Sequence, residues 1–167
     1  MKKLKISDQE LKNYVNKICR EILLSNWRPD YVVGITRGGL VPAVMISQYL
    51  EIPMHTLNVS LRDSDILPES NLWMPVDAFN QTCEILIVDD INDSGATLDW
   101  IQKDWQSSCI SNDVRWDNNI WGNNVRFAVL VNNEASKFKD IDYSGVIINK
   151  LEDPVWVDFP WEAWWTL

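Results

Sequence analysis

The 167-residue chain has one histidine and three cysteines, which leaves few soft ligands or nucleophiles to work with. Cys19, Cys83 and Cys109 lie far apart and in no metal-ligand spacing, so free thiols in a reducing cytoplasm are expected. His55 falls inside a strand pattern with no partner for catalysis or metal binding near it, and reads as structural. Basic charge is also short: 15 Lys and Arg face 24 Asp and Glu, a formal charge of −9. That balance argues against non-specific binding to nucleic acid or to an anionic membrane, both of which need a basic surface. It does not exclude an anionic ligand held by local N–H groups, a cation or one arginine. No apolar run approaches a bilayer span, and no apolar signal core follows the basic start Met1-Lys-Lys-Leu-Lys-Ile6. Internal repeats and low-complexity linkers are absent, and the length suits one domain, residues 1–167, with a sizeable core. Tryptophan, by contrast, is abundant. Ten of them, mostly from Trp73 onward, point to lids, interfaces or stacking surfaces as well as core.

The most informative stretch is Glu84-Ile-Leu-Ile-Val-Asp-Asp-Ile-Asn-Asp-Ser-Gly-Ala-Thr-Leu98. Ile85 to Val88 is an apolar run short enough for a strand buried on both faces. Asp89 and Asp90 follow where that strand is expected to end. Asp93, Ser94, Gly95, Ala96 and Thr97 then form a small-residue turn into a helix expected over about 95–107. Unpaired N–H groups at a helix start favour an anion, glycine allows close approach, and the Ser94 and Thr97 hydroxyls can donate. The pattern is that of a site for a phosphorylated ligand. An ordinary strand–turn–helix capped by Asp93 accounts for the turn but not for two further carboxylates side by side.

A second strand, Tyr31 to Ile35, runs into Thr36-Arg37-Gly38-Gly39 and a helix over Leu40 to Leu50 with Pro42 in its first turn. A guanidinium beside exposed N–H groups makes a second anion cradle. Around these lies scaffold. Ser7 and Glu10 form a capping box before an amphipathic helix over 8–24, and Met54 to Leu61, Val125 to Val131 and Tyr143 to Ile148 read as strands. Residues 61–81 are polar and proline-punctuated, as expected of a lid or binding segment. Residues 108–124, with Trp116 and Trp121, read as an insertion that is either a packed loop or a subunit contact. The proline-rich aromatic tail from Glu152 to Trp165 cannot be regular helix or central strand and is expected to cap something. In it, Trp156 beside Val157 suits stacking on a planar heterocycle, with a hydrophobic clasp or dimer contact as the alternative.

Residues 85–98 resemble the phosphoribosyl-diphosphate signature of the type I phosphoribosyltransferases. Arg37-Gly-Gly-Leu-Val-Pro42 resembles the diphosphate loop of the purine-salvage branch, and Trp156-Val-Asp-Phe-Pro-Trp-Glu162 the base-binding hood of its xanthine–guanine members. The resemblance implies an α/β fold with a mainly parallel central sheet flanked by helices, a core over about 7–148, a mobile loop over about 61–81 and a small C-terminal hood over about 149–167. It implies a Mg²⁺-dependent transfer of the phosphoribosyl group from phosphoribosyl diphosphate to a 6-oxopurine. In that chemistry Asp89 and Asp90 hold the ribose hydroxyls, directly or through Mg²⁺. Residues 93–97 hold the 5′-phosphate, and Arg37, Gly38 and Arg62 of the mobile loop meet the diphosphate. Asp93 accepts a proton from purine N7, and Trp156 and Val157 bind the base. One departure stands out: the lysine that members of this branch carry after the strand 125–131, donating to the purine O6, is replaced by Asn132-Asn133. Asn132, or Lys137 or Lys150 reaching in, is left to donate. A homo-oligomer, dimer or tetramer, is expected. Other readings are transfer to a different base, a phosphoribosyl-diphosphate-binding regulator with little catalysis, and a partner-binding protein, which leaves residues 85–98 unexplained.

Overall fold

In a computed structural model of the chain, residues 1–59, 61, 68 and 71–166 are described. Five strands, β2 (Tyr31–Thr36), β3 (Met54–Asn58), β4 (Ile85–Asn92), β5 (Val125–Asn133) and β6 (Tyr143–Ile148), form one sheet in the order β3-β2-β4-β5-β6. Every pairing in it is parallel. Parallel neighbours need crossovers, and the crossovers bury both sheet faces, which is why these strands are near-continuous apolar runs. On β4, Leu86 and Val88 pack with helices α1 (Asp8–Leu24) and α2 (Leu40–Leu50), while Ile85 and Ile87 pack on the opposite face with α3 (Trp73–Asn80) and α4 (Ala96–Ser108).

Helix α1 starts where its capping box requires: Ser7 Oγ accepts from the Glu10 N–H at 3.2 Å and Glu10 Oε2 accepts from the Ser7 N–H at 2.7 Å. Its inner face carries Cys19, fully buried, and burial pushes that thiol up to about 12. All three cysteines are free.

One difference from the sequence reading and two features it left open have physical causes. Residues 73–80 are helix rather than loop, because Met74, Ala78 and Phe79 bury against the α4 face and hold an otherwise proline-bearing segment in place. Residues 108–124 carry a single π-helical turn (Trp116–Ile120) and pack as core. Trp121 stacks between Trp116 and Phe127 with ring centroids 5.5 and 5.7 Å away, and the Trp116 indole donates to the Ile110 carbonyl at 2.9 Å. The tail does contain a strand, β7 (Val155–Asp158), paired in parallel with β1 (Lys2–Lys5) in a separate two-stranded sheet. As an edge element away from the main sheet it tolerates the flanking prolines. His55, on the edge strand β3, meets Trp73 and Tyr31 edge-on, consistent with a structural role. Among the described residues no helix is long and apolar enough to cross a membrane.

Candidate active site

Arg37, Asp89, Asp90, residues 93–97 and Asn132 lie at the C-terminal ends of β2, β4 and β5, where open parallel sheets place their ligands. The acidic pair sits differently from expectation. β4 does not stop at Val88: its ladder with β5 continues through Asp89↔Val129 and Ile91↔Val131 to Asn92↔Asn132, so both carboxylates lie within the strand. The cause is β5, which also runs on past its apolar stretch to Asn133 and keeps a partner backbone alongside. Asp89 Oδ1 accepts from the Asp90 N–H at 2.9 Å, and Asp90 Oδ1 from the Ile91 N–H at 2.8 Å. Burial raises the Asp90 carboxyl above the ordinary carboxylate range, bonds from Asp89 and Ile91 pull the other way, and the charge of Glu162 adds to the rise. Glu162, which the sequence reading did not single out, also accepts from the Phe159 N–H at 3.1 Å and so folds the tail back on itself.

The turn after β2 leans directly on this pair. A Cβ on Gly38 would overlap the carboxylate of Asp90, and one on Gly39 would meet the Ile35 carbonyl oxygen at 2.7 Å. The Thr36–Arg37 peptide is cis, and Arg37 is exposed at the tip of the turn. Thr36 Oγ1 donates to Asn58 at 2.9 Å, tying the end of β2 to β3. Arg62 lies outside the described residues.

The turn after β4 is built from glycine conformation and close packing. Gly95 has φ +87° and begins α4 with no side-chain cap. Its α-carbon is walled by Phe138 and by Ser136 Oγ, which a Cβ would meet at 2.6 and 2.7 Å. Ser94 Oγ accepts from the Ala96 N–H at 3.3 Å, and Ser94 and Ala96 are exposed while Thr97 is partly so. Beyond the Ala96 N–H, which Ser94 engages, the start of α4 offers N–H groups and the positive end of its dipole to an anion.

Asp93 joins this turn to the hood. Its Oδ1 accepts from Lys150 Nζ at 2.9 Å, and its carbonyl accepts from Asn133 Nδ2 at 3.1 Å. Asn133 Oδ1 in turn accepts from the backbone N–H groups of Lys150 and Ala135 at 3.0 and 3.2 Å. Asn132 is oriented by a buried neighbour: Asn92 Nδ2 donates to Asn132 Oδ1 at 2.9 Å, and Ser136 Oγ donates to Asn92 Oδ1 at 2.8 Å. That network leaves the Asn132 amide NH₂ as a donor. Asn132 and Asn133 line a cavity of about 430 Å³ with Phe138, Lys139 and Ile147. Lys137 lines a second, of about 540 Å³, against Ser94, Gly95 and Ala96 on the flank of α4. Of the two lysines considered from the sequence, Lys150 is therefore the one that meets Asp93.

In the hood, Trp156 is 44% exposed, while Val157 is buried in the core with Ile6, Leu11 and Tyr143. Alternation along β7 puts the two side chains on opposite faces. Of the pair expected to meet a base, Trp156 therefore has the exposed ring, while the Val157 side chain faces the core. Asn92 and Ser136 were missed in the sequence, and Asn133 was noted there only beside Asn132, not as a partner of Asp93. For the two asparagines the signal was their place at the ends of two strands that prove to be neighbours, which only pairing reveals.

Two strand–turn–helix units facing one another at the carboxyl ends of a parallel sheet, with carboxylates between them, define an open α/β fold with its polar groups at the switch point, where such folds place their ligands. Within that class the chain belongs to the Phosphoribosyl transferase domain family, whose profile matches residues 5–164. It is 24% identical to xanthine phosphoribosyltransferase 1 of Saccharomyces cerevisiae over 90% of this chain and 87% of that protein. A 79-residue segment is 43% identical to xanthine-guanine phosphoribosyltransferase of Cereibacter sphaeroides, covering 46% of each. The fold is shared with a purine phosphoribosyltransferase from Pyrococcus horikoshii, at TM-score 0.69 and 22% identity over 97% of this chain and 95% of that one.

Proposed function

We propose that the protein transfers the 5-phosphoribosyl group of phosphoribosyl diphosphate to a 6-oxopurine, releasing diphosphate and forming a nucleoside 5′-monophosphate. The observation that carries this reading is the contact between Gly38 and Asp90. It brings the turn after β2 against the acidic pair of β4, so a ligand gripped by one turn lies against the other. A sugar with phosphate at C5 and diphosphate at C1 spans such a pair of sites. The names of the relatives, which act on xanthine and guanine, support a purine as acceptor.

In this reading residues 93–97 hold the 5′-phosphate, and Arg37 with Gly38 faces the diphosphate. Asp89 and Asp90 face the ribose hydroxyls. Two carboxylates are what the chain offers a cation here; no cluster of three His, Cys, Asp or Glu able to hold one occurs among the described residues. That set fits Mg²⁺, which keeps several waters and binds through one or two carboxylates plus substrate phosphates, better than a metal needing a full protein cage. Bound there, Mg²⁺ supplies charge neutralisation for the departing diphosphate. The bond from C1 to the diphosphate oxygen breaks as N9 of the base bonds to C1. The proton on N7 passes to the Asp93 carboxylate, and nearby carboxylates stabilise the positive charge that develops on the sugar. Trp156 stacks on the base.

A phosphoribosyl-diphosphate-binding regulator is the second reading, favoured by the engagement of Asp93 with Lys150. Diphosphate release, measured with Mg²⁺ and guanine, xanthine, hypoxanthine, adenine, uracil or orotate offered separately, decides between them. Turnover with an oxopurine that is lost in Asp93→Asn is the expected result. Tight phosphoribosyl-diphosphate binding without turnover on any base would favour the regulator, and turnover with a pyrimidine alone would overturn the choice of base.

A further inference from the structure

The second sheet consists of β1 and β7 alone, four residues each. So short a ladder is marginal unless it packs on something. Leu4 and Val157, paired across it, pack against the core that holds Leu11 and Val15. Just past the ladder, the Ile6 N–H donates to the Asp158 carbonyl at 2.9 Å. The first residues of the chain are thus the sheet partner of the segment that carries Trp156.

Register decides what surrounds that ring. Paired residues of a parallel ladder share a face, and alternate residues of one strand return to it. Lys3 pairs with Trp156 and Lys5 with Asp158, so these four side chains share the face turned away from the core. On it Lys3 Nζ lies 3.6 Å from Asp158 Oδ2, an ion pair too long for a hydrogen bond. Its two ends are unequal: the Lys3 side chain is 60% exposed and that of Asp158 18%. A carboxylate is therefore set into the hood two residues from Trp156, and an ammonium from the other end of the chain stands outside it. Lys2 is engaged elsewhere, with Asp153 at 2.7 Å, which leaves Lys3 as the cation beside the ring.

We propose that Lys3 sets the preference of the site for a base bearing negative charge, against the opposing carboxylate of Asp158. This rests on the proposed purine transfer, with Trp156 stacked on the base, and adds the charge of the acceptor that is selected. Among 6-oxopurines, xanthine has a second carbonyl where guanine has its amino group. It gives up a ring proton more readily and is partly anionic near neutral pH, where guanine is neutral. A base stacked on Trp156 lies a few ångströms from the face that Lys3 and Asp158 share, close enough for a unit charge to act even beside water. The ammonium, the more exposed of the two, meets the base first and offsets the carboxylate behind it.

The test is the ratio of kcat/KM for xanthine to that for guanine, in two variants that break one ion pair from opposite ends. Lys3→Gln leaves the Asp158 carboxylate facing the base and is expected to lower the ratio by about 3–10-fold, the scale of one charge a few ångströms away near water. Asp158→Asn leaves the ammonium and is expected to raise the ratio by a similar factor. Lys3→Arg keeps the wild-type ratio, and both shifts shrink in high salt, where exposed charges are screened. Calorimetric binding of phosphoribosyl diphosphate checks that each variant is folded. Should Asp158→Asn fail to fold, Lys3→Glu replaces it: a second carboxylate lowers the ratio further than Gln does, whereas a tether is lost only once. A pair that merely ties β1 to β7 is broken alike in both variants, so ratios that move in the same direction or stay in place overturn the assignment. Wild-type protein that turns over no oxopurine at all overturns the purine reading itself, and the role of Lys3 falls with it.

Discussion

The two glycine turns at the site look alike in sequence but are built differently. Gly95 has no room and no alternative conformation: its φ is +87°, and what crowds it includes the backbone nitrogen of Phe138. At Gly38 the nearest atoms belong to the carboxylate of Asp90, the movable end of one side chain, and its backbone is not in the left-handed region. One turn is thus fixed by the fold, since the β5–β6 connection packs on it and Lys137 N–H bonds to the Ser94 carbonyl at 3.2 Å. The other packs on backbone at Gly39 but is walled at Gly38 by a functional group. A rigid cradle suits the end of a ligand that does not change during reaction, and a turn walled by a titratable side chain suits the end that departs. The structure teaches that a small-residue turn gains its meaning from what presses on it.

Substitution at Gly95 is expected to have the largest effect. Gly95→Ala combines a left-handed backbone with a clash against main chain, together about 2–4 kcal/mol of lost stability in chemical denaturation. No second substitution at a side chain relieves it, because the Phe138 backbone stays. Gly38→Ala is expected to cost less, about 1–2 kcal/mol, while lowering phosphoribosyl-diphosphate affinity, since the added methyl and the Asp90 carboxylate compete for one place. Here a second change does help: Gly38→Ala with Asp90→Ala should recover most of the stability lost in the single Gly38 variant, a coupling that a double-mutant cycle measures directly. Full additivity of the two changes would mean that the Gly38 wall is not the carboxylate, and the contrast between the turns would collapse.

Much of this was legible beforehand, for reasons that differ by region. Apolar runs such as Ile85–Val88 mark buried parallel strands because both their faces are covered, and Ser7 with Glu10 marks a helix start because capping is local. The turns at residues 93–97 and 37–38 were legible because a strand, a small-residue turn and a helix start follow one another in a fixed local order. What escaped was set by pairing between distant segments. β4 runs on through Asp89 and Asp90 because β5 accompanies it. The tail forms β7 because β1 lies beside it, which sends Val157 into the core. Trp116 and Trp121 are core because residues 108–124 fold over the sheet face that α3 and α4 also cover. The Asp93–Lys150 pair, separated by 57 residues, belongs to the same class.

The smallest effect concerns the wall of Gly38 itself. Burial and the charge of Glu162 hold the Asp90 carboxyl above the ordinary carboxylate range. As pH rises from that ordinary range through the raised value, the folded chain keeps a proton that the unfolded chain has released. The unfolded state therefore binds fewer protons across the window, and stability falls as pH rises. Asp90→Asn removes the charge while its oxygen can still accept from the Ile91 N–H, so Tm near neutral pH is expected to rise and its decline across the window to flatten. Activity is expected to be lost in the same variant, because the ribose and Mg²⁺ face that carboxylate in the proposed reaction. A stabilised and inactive Asp90→Asn, set beside a destabilised Gly95→Ala, would place the strain of the site at its functional group and the rigidity at the turn after β4. A variant less stable than wild type at neutral pH would instead make the carboxylate part of the scaffold, and the two turns would differ in degree rather than in kind.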